Sequence, residues 1–144
     1  MRWSEFVDAA REISWITYVG TADERGRPHV AAVAPGFSEG VVWFATRASS
    51  RKAHNLARNS EVAFHWPVGV GRGPGELAAW GRAVVHFGDE ECRRIWESGV
   101  MSYDLEGFWE SPENPDLVFV EAAVRRARLL GPDFVPRIWT PNAT

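Results

Sequence analysis

The sequence predicts a mainly β protein: a small antiparallel barrel with helices at its periphery. Three observations lead there. Runs rich in β-branched and aromatic residues recur along the chain, bounded by Gly, Pro, Asp and Asn clusters of the kind that close turns. Few segments have helical periodicity, so there are few crossovers and little support for a parallel α/β sheet. Eight Trp and eight Phe in 144 residues are a heavy aromatic load. They suit a compact β-rich core, an aromatic-lined pocket or a buried dimer interface.

Residues 4–13 read as a short amphipathic helix, with Ser4 available to cap it and Phe6, Val7, Ala10 and Ile13 on one side. A strand follows over 14–21, then a turn at Asp23-Glu24-Arg25-Gly26 and a second strand over 28–34, the pair forming a hairpin. The small residues Ala31, Ala32 and Ala34 admit either a flat ligand close to the backbone or a helix packed above. Phe37-Ser38-Glu39-Gly40 reads as a turn into a third strand over 41–46, which completes a three-stranded meander. A basic helix spans 50–58 and a strand spans Glu61–Trp66. Residues 67–75 hold four glycines and two prolines and read as a loop; Gly69-Val70-Gly71-Arg72-Gly73 does not open a helix, as a phosphate loop requires. The next strand covers 76–87, with Gly81 marking a bulge or a close approach. Asp89 is placed to cap a helix running to about 98. The irregular stretch 99–115, with Phe108 and Trp109, is long enough to cover something. Leu117–Leu130 supplies one long strand or two, and 132–144 is a Pro-rich tail.

The chain's length and its 45% hydrophobic content suit one domain over 1–144. A formal net charge of −3 argues against wholesale nucleic-acid binding. The single Cys92 excludes an intrachain disulfide and a Cys-based metal cage. Met1-Arg2-Trp3-Ser4-Glu5-Phe6 lacks a signal-peptide pattern, and no apolar run nears the roughly 20 residues needed to span a membrane. The expectation is a soluble, cytoplasmic protein.

The functional signal lies at 45–56. Thr46, Ser49 and Ser50 supply hydroxyls at a strand-to-helix junction, and Arg47, Arg51 and Lys52 crowd the helix start. Cations there oppose the helix dipole, by a few tenths to about 1 kcal/mol. Lys52 is also the only Lys in the chain. Two readings are open: the cations point into water, or the junction holds an anion such as phosphate, bound by backbone N–H groups, hydroxyls and cations together.

With Thr46, Ser50-Arg51-Lys52-Ala53-His54, Gly26-Arg27-Pro28-His29-Val30 and Trp80-Gly81-Arg82-Ala83 in view, residues 15–90 resemble the pyridoxamine 5′-phosphate oxidase-like flavoproteins. The strand from Leu117 is a weaker echo. The resemblance implies an FMN-binding split β-barrel, antiparallel and of Greek-key type. It implies that Thr46, Ser50, Arg51 and Lys52 hold the FMN phosphate, and that Ala31, Ala32 and Val33 form a platform for the isoalloxazine edge. It further implies a homodimer with two flavin sites at its interface, where the strand around Trp80 and the loop around Trp109 close the partner's site, Trp80 foremost. The chain departs from the oxidase proper in two places. Ala31 stands on the strand where the oxidase is basic, and Val135-Pro136-Arg137-Ile138-Trp139 does not reproduce its C-terminal Arg/His motif. Oxidation of the phosphorylated vitamin is therefore not expected, and the general-stress-protein-like branch fits better.

The expected function is an FMN-dependent oxidoreductase acting on a small molecule, with the hydride chemistry supplied by the cofactor and no catalytic side chain named. One alternative on the same fold binds a deazaflavin whose acidic tail meets Arg47, Arg72 and Arg82. Another is a non-enzymatic flavin or haem carrier or sensor. His29, His54, His65 and His86 are expected to be structural.

Overall fold

The computed structural model describes residues 1–66 and 75–142. The Gly-rich segment expected to form a loop, with Arg72, lies outside the described residues except for Gly75. Four helices and eight strands are described: α1 (Trp3–Ile13), β1 (Thr17–Ala22), β2 (Pro28–Val33), β3 (Gly36–Ser38), β4 (Val41–Arg47), α2 (Arg51–Arg58), β5 (Glu61–Trp66), β6 (Glu76–His86), α3 (Asp89–Glu97), α4 (Leu105–Trp109), β7 (Leu117–Leu130) and β8 (Pro136–Trp139).

All eight strands join one antiparallel sheet in the order β2-β1-β5-β6-β7-β4-β3, with β8 added beside the end of β7. The sheet curls into a half-barrel and brings β2, at one end of that order, towards β4, near the other. The expected meander is thus two separate hairpins: β1 pairs with β2, whereas β3 pairs with β4 at the other end of the strand order. Phe37 and Ser38, expected to lie in the turn over 37–40, belong to β3 instead; Glu39 and Gly40, the latter at φ +71°, make the reversal.

Period-two burial drives the curl. Val19, Val42, Phe44, Val62, Phe64, Trp66, Leu77 and Ala79 point into the concave face and meet Val120, Ala122 and Val124 there. Trp3, Phe6, Val7 and Ala10 of α1 plug one side of this core. The Glu5 carboxylate accepts from the Arg2 N–H, so α1 starts before Ser4, whose hydroxyl is not the cap. Gly88, at φ +91°, is the N-cap of α3, and Asp89 is its first helical residue rather than its cap.

A second core lies on the convex face, where Cys92, Ile95, Met101, Leu105 and Trp109 cover Leu117, Phe119, Trp43 and Ala45. Because both faces of β7 are covered here, 117–120 are buried without alternation. Gly81 acts as expected. The β6–β7 register slips beside it, with Trp80 opposite Arg126 and Gly81 opposite Val124, and a Cβ at 81 would lie 2.1 Å from the Ala123 carbonyl oxygen. Leu117–Leu130 is one strand, and the tail extends the sheet as β8, burying Trp139 against Trp3 with ring centroids 4.7 Å apart.

Candidate functional site

The split between β2 and β4 opens into a cavity of about 660 Å³, within the usual range for small-molecule sites. Its walls come from separate parts of the chain: Trp15 and Ile16 ahead of β1, Ala32 to Ala34 at the end of β2, Ala45 to Arg47 at the end of β4, the first turn of α2, and the segment 103–109 carrying α4. The character changes across it. Hydroxyl and ammonium groups gather at α2, whereas Trp15, Tyr103, Phe108 and Trp109 line the other side.

The polar end is built by the way β4 hands over to α2. The Ala48 N–H donates to the Asp116 carbonyl at 2.7 Å and ties the turn to the approach to β7. Ser50, in extended conformation, is the N-cap, and its Oγ accepts from the Ala53 N–H at 3.2 Å. Thr46, buried, donates its hydroxyl to the same Oγ at 3.2 Å. With both its acceptor positions engaged, the Ser50 hydroxyl keeps its own proton to donate into the cavity. Deeper in α2, the buried Asn55 Nδ2 donates to Thr21 Oγ1 at 3.0 Å and fixes the helix on β1.

The three cations of the helix start go separate ways. Arg47 also borders the 660 Å³ cavity, but its guanidinium pairs with Asp116 at 3.0 Å. Arg51 lines a different cavity on the other side of α2. Lys52 lines the 660 Å³ cavity, is half-buried, and has no hydrogen-bond or ion-pair partner among the described residues. Burial pushes its ammonium below the usual lysine range. A half-buried ammonium beside a free hydroxyl proton and the open start of a helix is a site that gains from an anion.

Of the residues the sequence singled out, Ala32, Val33, Thr46, Ser50 and Lys52 meet in this cavity. Ala31, Arg51 and Trp80 do not line it. Ala31 points to the concave face and packs on the core. Trp80 stands on the convex face, with the guanidinium carbons of Arg126 and Arg128 over its ring at 5.4 and 5.7 Å. Trp109 was expected to reach across to a partner, but it is buried in the wall of its own cavity, donating its indole N–H to the Tyr103 hydroxyl at 3.1 Å.

Sequence reasoning passed over Trp15, Tyr103 and Asp104. The signal available was the length and aromatic content of 99–115, which marked a cover without showing what it covered. Burial raises the Tyr103 phenol above its usual range, partly offset by the Trp109 hydrogen bond. Its O–H therefore stays protonated through neutral pH, and no acceptor for it occurs among the described residues. Gly36 sets this wall close to the sheet: a Cβ there would lie 2.3 Å from the Val100 carbonyl oxygen. His86 has one ring nitrogen 3.1 Å from Glu91 and the other 2.9 Å from Glu121. Among the described residues, no His, Cys, Asp and Glu cluster could hold a metal ion, and no helix is long and apolar enough to cross a membrane.

Comparison with known proteins agrees with this fold. The profile of the pyridoxamine 5′-phosphate oxidase family matches residues 6–131. No curated protein matches the chain. Among solved structures, a protein related to general stress protein 26 of B. subtilis, from Clostridium acetobutylicum, superposes with a TM-score of 0.72 at 18% identity, over 96% of this chain and 92% of that one. A pyridoxamine 5′-phosphate oxidase-related, FMN-binding protein from Nostoc punctiforme gives 0.67 at 11% identity, over 97% and 94%. A haem-binding protein from Mycobacterium smegmatis gives 0.73 at 16% identity, over 95% of this chain and 57% of that one. At these identities the likeness is one of fold, and the fold is the split barrel that the sequence led us to expect.

Proposed function

The chain belongs to the pyridoxamine 5′-phosphate oxidase family, and from that premise we propose that it binds FMN in the 660 Å³ cavity and works as an oxidoreductase on a small molecule. The observation that carries this reading is Lys52, a half-buried ammonium without a partner at the polar end of a cavity whose other end is aromatic. Ser50 and Lys52 would donate to the phosphate, with Thr46 holding the Ser50 hydroxyl in place. Ala32 and Val33 would lie under the isoalloxazine edge, and Trp15, Phe108 and Trp109 would exclude water from it. When bound, the flavin supplies the hydride chemistry. The Tyr103 O–H is a donor aimed at orienting a polar atom of the flavin or the substrate.

Haem, which the Mycobacterium smegmatis neighbour binds by its name, fits less well. An axial ligand is needed, and of the usual His, Cys, Met and Tyr donors only Tyr103 lines this cavity among the described residues. The deazaflavin alternative asks for free arginines. Arg47 is paired with Asp116, and Arg82 lies 3.8 Å from Glu61 and donates to the Ser60 hydroxyl.

We further propose a homodimer built on the convex face of the sheet. One row across it reads Val30, Gly20, Ala63, Trp80 and Arg126, each residue paired to the next. The small residues leave a trough between exposed Val30 and half-buried Trp80. Ala32 stands in the adjoining row beside exposed Tyr18, so a second copy seated here would close the cavity, with Trp80 of the partner subunit over it. A cytoplasmic location belongs to the same reading. The test is the absorption spectrum of freshly purified protein, with mass identification of whatever it releases. A flavin spectrum and the mass of FMN support the proposal. A Soret band, or a colourless protein that takes up no FMN, rejects it.

A further inference from the structure

We propose that the aromatic end of the 660 Å³ cavity is the substrate subsite, and that it selects a small organic cation with a flat ring through the Asp104 carboxylate. This subsite rests on the flavin reading above and names the class of molecule that would meet the flavin. Lys52 and Asp104 are the two charged groups lining the cavity that have no opposite charge among the described residues. Arg47, which also borders it, is held by Asp116 at 3.0 Å.

FMN answers only one of those charges. Its phosphate is negative and it carries no positive group, so the carboxylate is left over. Asp104 Oδ1 accepts the Gly107 N–H at 3.1 Å, which fixes the side chain at the start of α4. No ion pair and no second hydrogen bond reaches that carboxylate among the described residues. Residues 95–116 contain no Lys, Arg or His, so the segment brings no counter-ion of its own. A carboxylate held at the edge of an aromatic wall, where water screens it less, favours a cation.

The other groups at this end suit the same ligand. Trp15 and Phe108 line the cavity with 74% and 75% of their surface exposed, so their rings leave open faces rather than filling the core. Such faces attract a cation through the ring quadrupole and a flat ring by stacking. The Tyr103 hydroxyl accepts from the Trp109 indole and keeps its own proton for a neutral acceptor on the ligand. A substrate bearing a carboxylate or a phosphate would be repelled at this end, both by Asp104 and by the negative ring faces.

Benzamidine, benzamide and benzoate test this, because they share a shape and differ in charge. Each is titrated calorimetrically into the full chain, with and without saturating FMN. With FMN bound, benzamidine should bind saturably and roughly tenfold more tightly than benzamide, with benzoate weakest. Asp104→Asn keeps an oxygen for the Gly107 N–H and removes the charge. It should erase the preference for benzamidine and leave FMN affinity unchanged. Phe108→Ala should weaken benzamidine and benzamide alike. The proposal is overturned by absence of saturable benzamidine binding, by a preference that survives Asp104→Asn, or by benzoate binding as tightly as benzamidine. Weaker FMN binding in Asp104→Asn, or displacement of FMN by benzamidine, would place the carboxylate on the flavin and overturn it too. Failure of the flavin reading shows separately, as a chain that takes up no FMN; benzamidine held through Asp104 in that chain would keep the cation subsite.

Discussion

At the scale of single residues, Lys52 makes a prediction about pH. Burial lowers its pKa in the folded protein, so the unfolded chain holds that proton more tightly. The cost of burying the charge acts below the folded pKa and is relieved as pH rises through it. A bound phosphate reverses the preference, because it stabilises the ammonium. FMN affinity should therefore be full near neutral pH and decline as pH rises through the lowered lysine value. A titration series from pH 7 into the alkaline range checks this; affinity that rises with pH would remove Lys52 from the site. Ser50 makes a prediction about stability as well as binding. As N-cap it satisfies the Ala53 N–H, so Ser50→Ala should cost about 1 kcal/mol in denaturant unfolding of the protein without ligand. The same change should weaken FMN, which would lose the Ser50 hydroxyl donor. That Thr46, Ser50 and Lys52 gather at one place was legible in the sequence, from two hydroxyls beside a cation that opposes the dipole of a helix start. Arg51 has the same chemistry, and its different direction was not legible: which side of a helix a residue faces depends on how the helix is docked, here by the Asn55 to Thr21 bond.

At the scale of elements, strands were readable and their partners were not. The β1–β2 hairpin follows from a four-residue turn, a local signal. The separation of β2 from β4 depends on which edges the curled sheet brings together, and no window of sequence reports that. Phe37 and Ser38 were read as part of the turn over 37–40 because the three residues of β3 are too few to show alternation. The wall at 103–109 depends on packing against Trp43, Ala45, Leu117 and Phe119, which no periodicity announces. Gly81, by contrast, was legible, because a glycine inside a β-type run has few explanations. Its role gives a prediction: Gly81→Ala should destabilise the fold by about 2 kcal/mol, within the range for forcing extra atoms into a packed site, since its Cβ meets backbone rather than a flexible side chain. Urea unfolding measures it, and an unchanged midpoint would show that β7 yields there.

For the whole molecule, the convex face carries the predictions. If a second copy seats on the row from Val30 to Trp80, dimer and flavin binding are linked by mass action. Dilution that separates the dimer should release FMN, and excess FMN should oppose separation. Sedimentation at several concentrations checks this; a monomer that keeps its flavin at full occupancy contradicts the shared site. A second prediction concerns substrate. The residues after 131 lie outside the family match, and 136–139 are used as a strand that buries Trp139 against Trp3. With its tail built into the sheet and no C-terminal Arg/His motif in it, the protein with FMN should not turn over pyridoxamine 5′-phosphate. Formation of the aldehyde at a useful rate would contradict that.

The central claim is that an FMN phosphate answers the unpartnered ammonium of Lys52. Paired titrations of FMN and riboflavin into the native chain and into Lys52→Ala test it most directly, because the two ligands differ only by the phosphate. The account predicts that the variant loses about 1.5–3 kcal/mol of FMN affinity, the scale of a charge-assisted hydrogen bond, while riboflavin binding barely changes. Equal weakening of both ligands, or of neither, would contradict it.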